Sequence, residues 1–400
     1  MKITFALLII LFLAFSGYHL TFRHFRLPLF ARRFYLTGTE FLLLGLLLGP
    51  QFLDILDVET QKGLAPWTAL LLGWIGLLFG FQFEIKKLRR FPLELFLAAS
   101  LEGLVTLILV FAGVCLTIVH YFDISQSLTM AVAITLAATA GCTAQTGIAV
   151  LSTDIASRRP DTTKLLRFIS SIDGLIPLLI FGLCFFCNPS VGSGGSWPAG
   201  FGRGILISLG ASFGLLLLFA FFISHRRLEK DLILIVIGMT MLAGGLASAL
   251  KFSPLLVNFF VGFWLVNLSR DKERIYQILM TVEKPTYLLL LVFLGAHLNF
   301  DTLWLFFIGL VYCLYRVLGK IFAGFLVTRL NSGLQKYHGY IGFGLLAQGG
   351  LSLAILLDFQ QTFYSPVSTR VISLAVIAVM CNEFLSHYFL ERLFKKGTKK

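Results

Sequence analysis

The chain is 400 residues long, 57% hydrophobic and only 13% charged, and Phe alone contributes 41 residues. That balance excludes a soluble domain and points to a polytopic membrane protein. The net charge of +13 does not mark a nucleic-acid partner, because the basic residues recur in short clusters between apolar runs and form no single patch.

Apolar runs long enough to cross a bilayer recur along the whole chain, about thirteen of them. They fall at 2–20, 34–52, 64–84, 92–120, 125–152, 163–187, 201–224, 231–250, 252–269, 276–298, 301–329, 338–359 and 366–394. The first has no small-residue cleavage site and is followed directly by another span, so it reads as retained and not as a signal peptide. Connections alternate in charge. Clusters such as Arg23, Arg26, Arg32 and Arg33, then Lys86, Lys87, Arg89 and Arg90, then Arg158, Arg159 and Lys164 carry most of the basic residues. The intervening connections carry Asp54, Asp57, Glu59 and Asp123 with few bases. The positive-inside rule then puts the N-terminus outside and the C-terminus in the cytoplasm of a bacterial inner membrane. No soluble domain is expected among the spans; residues 1–400 read as one polytopic domain with a polar outer loop at 188–200. The six cysteines all sit in or beside apolar runs and read as small buried hydrophobes.

Against this apolar background, a few polar residues stand out by depth. Asp173 lies in the sixth span, about 14 Å from Lys164 and about 22 Å from Asn188 at helical rise. A carboxylate near the bilayer middle costs several kcal/mol unless paired or hydrated, which makes it a candidate functional group. Gly174 and Pro177 follow it and loosen the helix there. The fifth span holds Ile134–Val150, rich in Ala, Gly and Thr, with Thr143, Gln145 and Thr146 near its centre. Small residues serve close helix packing; they also suit a helix that unwinds and offers carbonyls to an ion. The twelfth span has a parallel feature at Gln348, Gly349 and Gly350.

The eleventh span carries Arg316 and, one turn nearer the cytoplasm on the same face, Lys320. Snorkelling to the interface accounts for Lys320 but not for Arg316. A buried guanidinium needs an acid, and Asp173 is matched in depth; Glu102 in the fourth span and Glu383 in the thirteenth are the other deep acids and alternative partners. Glu40 sits nearer the cytoplasmic edge. Spans 4–6 and 11–13 thus hold comparable polar features seven spans apart, and an odd offset means opposite orientation. Inverted repeats with two interrupted helices are the signature of a secondary transporter with a midplane site.

Several stretches together resemble a known family. They are RLPLF and TEFLLLGLLLGP within Arg26–Pro50, SPLLVNFFVGFWLVN at Ser253–Asn267, EKPTYLLLLVFLGAHL at Glu283–Leu298, YRVLGKIFAGF at Tyr315–Phe325 and LLAQGGLSLAILL at Leu345–Leu357. In this order they resemble the monovalent cation:proton antiporters, in particular the antiporter-2 branch with the NhaA-type fold. The resemblance implies an all-α membrane protein whose core bundle is 92–187 and 301–394, with 1–84 and 231–298 forming a dimerisation part of a homodimer. It implies a transporter and not an enzyme, with no cofactor. The ion-binding acid of relatives maps onto Asp173 in SSIDG, although Ile172 stands where a paired Asn or Asp is usual. Thr143, Gln145, Thr146 and Gln348 would add neutral oxygens for Na+ or K+ at Asp173. Arg316, Lys320, Glu102 and Glu383 would be charge partners. Arg316 keeps its proton, so one-for-one electroneutral exchange is expected. An organic-acid carrier on the same architecture, or a membrane sensor that transports nothing, are the alternatives.

Overall fold

A computed structural model describes residues 2–21, 38–118, 126–144, 160–184, 197–224, 231–299, 303–331, 333–334, 340–363 and 365–395. Among these residues every regular element is helical. In chain order they are α1 (Lys2–Thr21), α2 (Thr39–Leu48), α3 (Val58–Gly63), α4 (Ala65–Phe81), α5 (Ile85–Leu88), α6 (Leu93–Gly113) and α7 (Gln126–Gly141). Then come α8 (Pro160–Ile172), α9 (Leu175–Cys184), α10 (Trp197–Ser224), α11 (Asp231–Ala249), α12 (Pro254–Leu268), α13 (Lys272–Ala296) and α14 (Leu303–Leu330). A π-helical stretch at Val114–Ile118 after α6, a 3₁₀ turn at Tyr340–Leu345, α15 (Gly350–Thr362) and α16 (Pro366–Lys395) complete the series. Among the described residues seven stretches are helical, long and apolar enough to cross a membrane, and shorter apolar helices accompany them. All-helical spans are what a bilayer demands, because each backbone N–H and C=O must be satisfied within its own segment. The short polar helices α3 and α5 lie between apolar runs and carry no signal of hydrophobicity; Asp57 starts α3 by accepting from Thr60 N at 2.8 Å.

The chain forms two compact units. The first comprises 1–86, 185–299 and 357–364. Its centre is the pair α4–α12, which approach along a glycine seam. A Cβ on Gly76 would overlap the Leu255 carbonyl oxygen, one on Gly80 the Phe259 carbonyl, and one on Gly262 the Leu77 carbonyl. Without a hydrophobic drive between spans in lipid, such backbone proximity is what holds helices together. Trp74, Leu77, Val236, Val257, Val261 and Leu279 fill the space beside the seam. Gly76→Leu should therefore separate α4 from α12 and cost about 2–3 kcal/mol or more. A fall in the unfolding midpoint of the detergent-solubilised protein checks this; an unchanged midpoint contradicts it.

The second unit comprises 87–184, 300–356 and 365–400. In it α14 packs against α6 and α16, and α7 against α6 and α9. Three breaks in helical structure meet here. The sixth span is not one straight helix: α8 stops at Ile172, a turn holds Asp173 and Gly174, and α9 begins at Leu175. Pro177 has no N–H to offer the Asp173 carbonyl four residues back, so the ladder opens there. Gly103 of α6 lies against that carbonyl, where any Cβ would overlap it. In the fifth span α7 ends at Gly141 and the chain continues non-helically through Ala144. In the twelfth, non-helical Leu346–Gly349 separates the 3₁₀ turn from α15. These last two segments touch: Ala144 N donates to Ala347 O at 2.9 Å, and a Cβ on Gly349 would meet Ala144 Cβ at 2.8 Å.

Candidate functional site

Unwound backbone in an apolar surrounding leaves carbonyls that need donors. Arg316 supplies them. It projects from α14, fully buried, and donates to Leu346 O at 2.5 Å, Cys142 O at 3.0 Å and Ala347 O at 3.5 Å. A guanidinium suits this because its donors fan out in a plane and it does not lose its proton. Arg316 therefore ties the two interrupted segments together.

Lys320, one turn on, is equally buried, so it does not snorkel. Its ammonium sits among four oxygens: Gly141 O at 2.7 Å, Thr143 Oγ1 at 2.9 Å, Glu102 Oε2 at 3.0 Å and Asp173 Oδ2 at 3.1 Å. It is Lys320, and not Arg316 as depth matching suggested, that meets Asp173. The reason is where the chain unwinds: the carbonyls of 142, 346 and 347 face Arg316, and the turn at Asp173 faces the next position of α14. The ammonium has three protons for four acceptors. An all-oxygen cluster with carboxylates is also the ligand set that hard monovalent cations take.

Asp173 is 1% exposed. Besides Lys320 it accepts from the Thr143 hydroxyl at Oδ2 and from Thr143 N at 3.4 Å at Oδ1. Thr143 Oγ1 also lies 3.2 Å from Leu345 O. Ile172 denies Asp173 an acidic neighbour in sequence, yet Glu102 of α6 brings a second carboxylate to the same ammonium through space.

A second polar group centres on Gln348. Glu383 of α16 accepts from Gln348 N at 3.2 Å, an anion beside the N-terminal end of α15. The Gln348 amide donates to Thr139 O at 3.0 Å and accepts from Asn382 Nδ2 at 3.2 Å. Gln348 is thus engaged with Thr139, Asn382 and Glu383. Tyr312, one turn before Arg316, donates to Leu136 O at 2.7 Å and lies 2.8 Å from Thr139 Oγ1. Of the residues singled out from sequence, Asp173, Thr143, Lys320 and Glu102 come together directly. Arg316 and Gln348 join the same segments through backbone and amide contacts, with Glu383 bonded to Gln348. Gln145 and Thr146 lie outside the described residues. Sequence reasoning passed over Tyr312, Thr139 and Asn382. Two had a visible signal, since Tyr312 shares a face with Arg316 and Asn382 precedes a deep acid.

Among the described residues no group of three or more His, Cys, Asp and Glu side chains is placed to hold a metal ion. The Asp173 cluster offers two carboxylates with neutral oxygens, an all-oxygen set of the kind that hard cations take.

Comparison with known proteins adds to this geometry. Residues 9–396 match the family model described as sodium/hydrogen exchanger, transmembrane. Among solved structures the chain is similar to the sodium proton antiporter MjNhaP1 from Methanocaldococcus jannaschii at pH 8, with a TM-score of 0.69 and 19% identity over 100% of both chains. A likeness at that identity speaks to the fold. No curated protein matches the sequence. With its series of membrane-length helices, the molecule is an integral multi-pass membrane protein. The family match covers nearly the full length, and the chain belongs to the transmembrane sodium/hydrogen exchanger family.

Proposed function

We propose that the chain is a secondary active antiporter that exchanges a monovalent cation, Na+ or K+, for protons by alternating access, with Asp173 as the carboxylate for which the two ions compete. The observation that supports this is the oxygen cluster at the helix breaks, where Asp173, Thr143 Oγ1 and Gly141 O gather around the Lys320 ammonium. Asp173 holds either an O–H bond or a cation, and loading one unloads the other. A loaded site is neutral at Asp173 and crosses the low-dielectric interior; an empty ionised site pays desolvation and does not.

In this reading the chain has thirteen spans in the NhaA-type arrangement of inverted repeats, on the antiporter-2 branch. The bundle 92–187 and 301–394 carries the ion, and 1–84 with 231–298 forms the scaffold of a homodimer in a bacterial inner membrane. The N-terminus lies outside and the C-terminus in the cytoplasm. The organic-acid alternative needs a free deep cation to receive substrate. Arg316 is committed to carbonyls and Lys320 to carboxylates, which favours the cation reading.

The direct test is a pH-sensitive dye trapped in proteoliposomes, with Na+, K+ and Li+ added in turn. Cation-driven proton movement supports antiport. Its absence with folded, inserted protein overturns it, and uptake of labelled organic acids would then revive the alternative. Thr143→Val removes one charge-assisted hydrogen bond to Asp173 and one neutral ligand. It should raise the cation KM about tenfold or more while leaving exchange measurable; an unchanged KM would remove Thr143 from the site.

A further inference from the structure

Glu102 and Asp173 share one ammonium, but they do not depend on it equally. Asp173 has the Thr143 hydroxyl and Thr143 N as further donors. Glu102 is 0% exposed and has, beyond Lys320 at 3.0 Å, the Thr106 hydroxyl at 3.4 Å from its other oxygen. Taking Lys320 away from Asp173 leaves that carboxylate hydrogen-bonded. Among the described residues, taking it away from Glu102 leaves a buried anion with one long contact, which is the expensive way to break a buried pair. The ammonium therefore belongs to Glu102, and its contact with Asp173 is the one that can be exchanged.

We propose that Glu102 and Lys320 form a fixed neutral pair that stays assembled through the transport cycle, so that Asp173 is the carboxylate of the site whose charge partner changes. This rests on the reading of Asp173 as the exchanging carboxylate. The charge balance follows directly. With Asp173 protonated, the pair and the acid are all neutral in sum. When a cation arrives, the Asp173 O–H proton leaves to water, the cation takes the carboxylate, and the sum is again neutral. Lys320 gives up no proton in either state, and one proton moves per cation. Without Glu102, the ammonium would face the arriving cation with no counter-charge of its own, and like charges would compete for Asp173. Glu102 acts through Lys320 and is a positioning residue.

The proposal is tested first on the unmodified protein. In proteoliposomes clamped at zero membrane potential, a tenfold cation gradient should hold a pH difference of about 1 unit at static head for one proton per cation, and about 0.5 unit for two. The expected result is about 1 unit, with no transport current while the gradient builds. A value near 0.5, with a current during that approach, would overturn the fixed pair, because a second proton would then come from Lys320. The variants give an independent reading. Glu102→Gln should raise the cation KM tenfold or more, and Glu102→Gln combined with Lys320→Gln, which removes the pair as a unit, should bring KM back toward the wild type. That restoration is a coupling that independent structural damage does not give. Equal or additive losses in the single and double variants would overturn the proposal. If no cation moves protons in the wild type, the Asp173 reading itself fails; if exchange occurs and is lost in Asp173→Asn but the static head sits near 0.5, only the fixed pair fails.

Discussion

Asp173→Asn is expected to yield a protein that inserts and folds but moves no protons in response to any cation. Asparagine matches the shape of aspartate and keeps an oxygen that accepts from Thr143. Lys320 retains Glu102 at 3.0 Å, so no buried ammonium is stranded. The stability loss should then be only about 1–2 kcal/mol, that of a weakened hydrogen-bond set. The functional loss is of another order. The amide has no proton to trade and no charge to offer, and loss of the anion at a buried cation position amounts to about 3 kcal/mol or more, a hundredfold or greater fall in affinity. Dye dequenching in proteoliposomes and a melting curve in detergent measure the two effects separately. Exchange surviving in this variant would displace Asp173 from the centre of the mechanism.

Arg316→Ala should do the opposite, damaging the fold and the transport together. Its guanidinium satisfies the Leu346 and Cys142 carbonyls and approaches that of Ala347. Of these, Ala347 O keeps the Ala144 N–H, but the other two lose their side-chain donor in a buried setting, at about 1–3 kcal/mol each, and a large side-chain volume is vacated. A total of about 3–5 kcal/mol is expected, read as a lowered unfolding midpoint, with exchange lost as the crossing segments relax. Arg316→Lys should recover only part of the stability, since a single ammonium does not span carbonyls contributed by both segments. If Arg316→Ala melted like the wild type, the brace between the segments would be refuted.

The contrast between these two cations marks where sequence reasoning reaches its limit. That Arg316 is buried follows from counting residues to the ends of a span; Lys320, which snorkelling would have carried to the interface, is buried with it, and both are 0% exposed. Which acid meets which base does not follow from depth. It depends on where α7 and the twelfth span unwind, and each break is fixed by contacts with the other segment and with α14. Depth matching therefore paired Arg316 with Asp173, while the carbonyls exposed by unwinding claim the guanidinium first. Gln348 shows the same limit: its position in a Gln-Gly-Gly run marks a break, but its amide turns to Thr139 and Asn382. Glu102 was legible as a deep acid. Its convergence with Asp173 was not, because it requires the close approach of α6 to the Asp173 turn that Gly103 permits. Among the described residues seven of the apolar runs form helices long enough to cross a membrane and shorter apolar helices accompany them, because a bilayer requires such segments to satisfy their own backbone. The short helices α3 and α5 have no such constraint and escaped notice.

The most direct test of the account is the cation KM of exchange measured as a function of pH. If cation and proton compete for one carboxylate, KM should rise about tenfold for each unit of acidification once Asp173 is largely protonated, while the maximal rate at saturating cation holds. A KM that stays level across that range while exchange continues would contradict competition at Asp173 and require separate sites for the two ions.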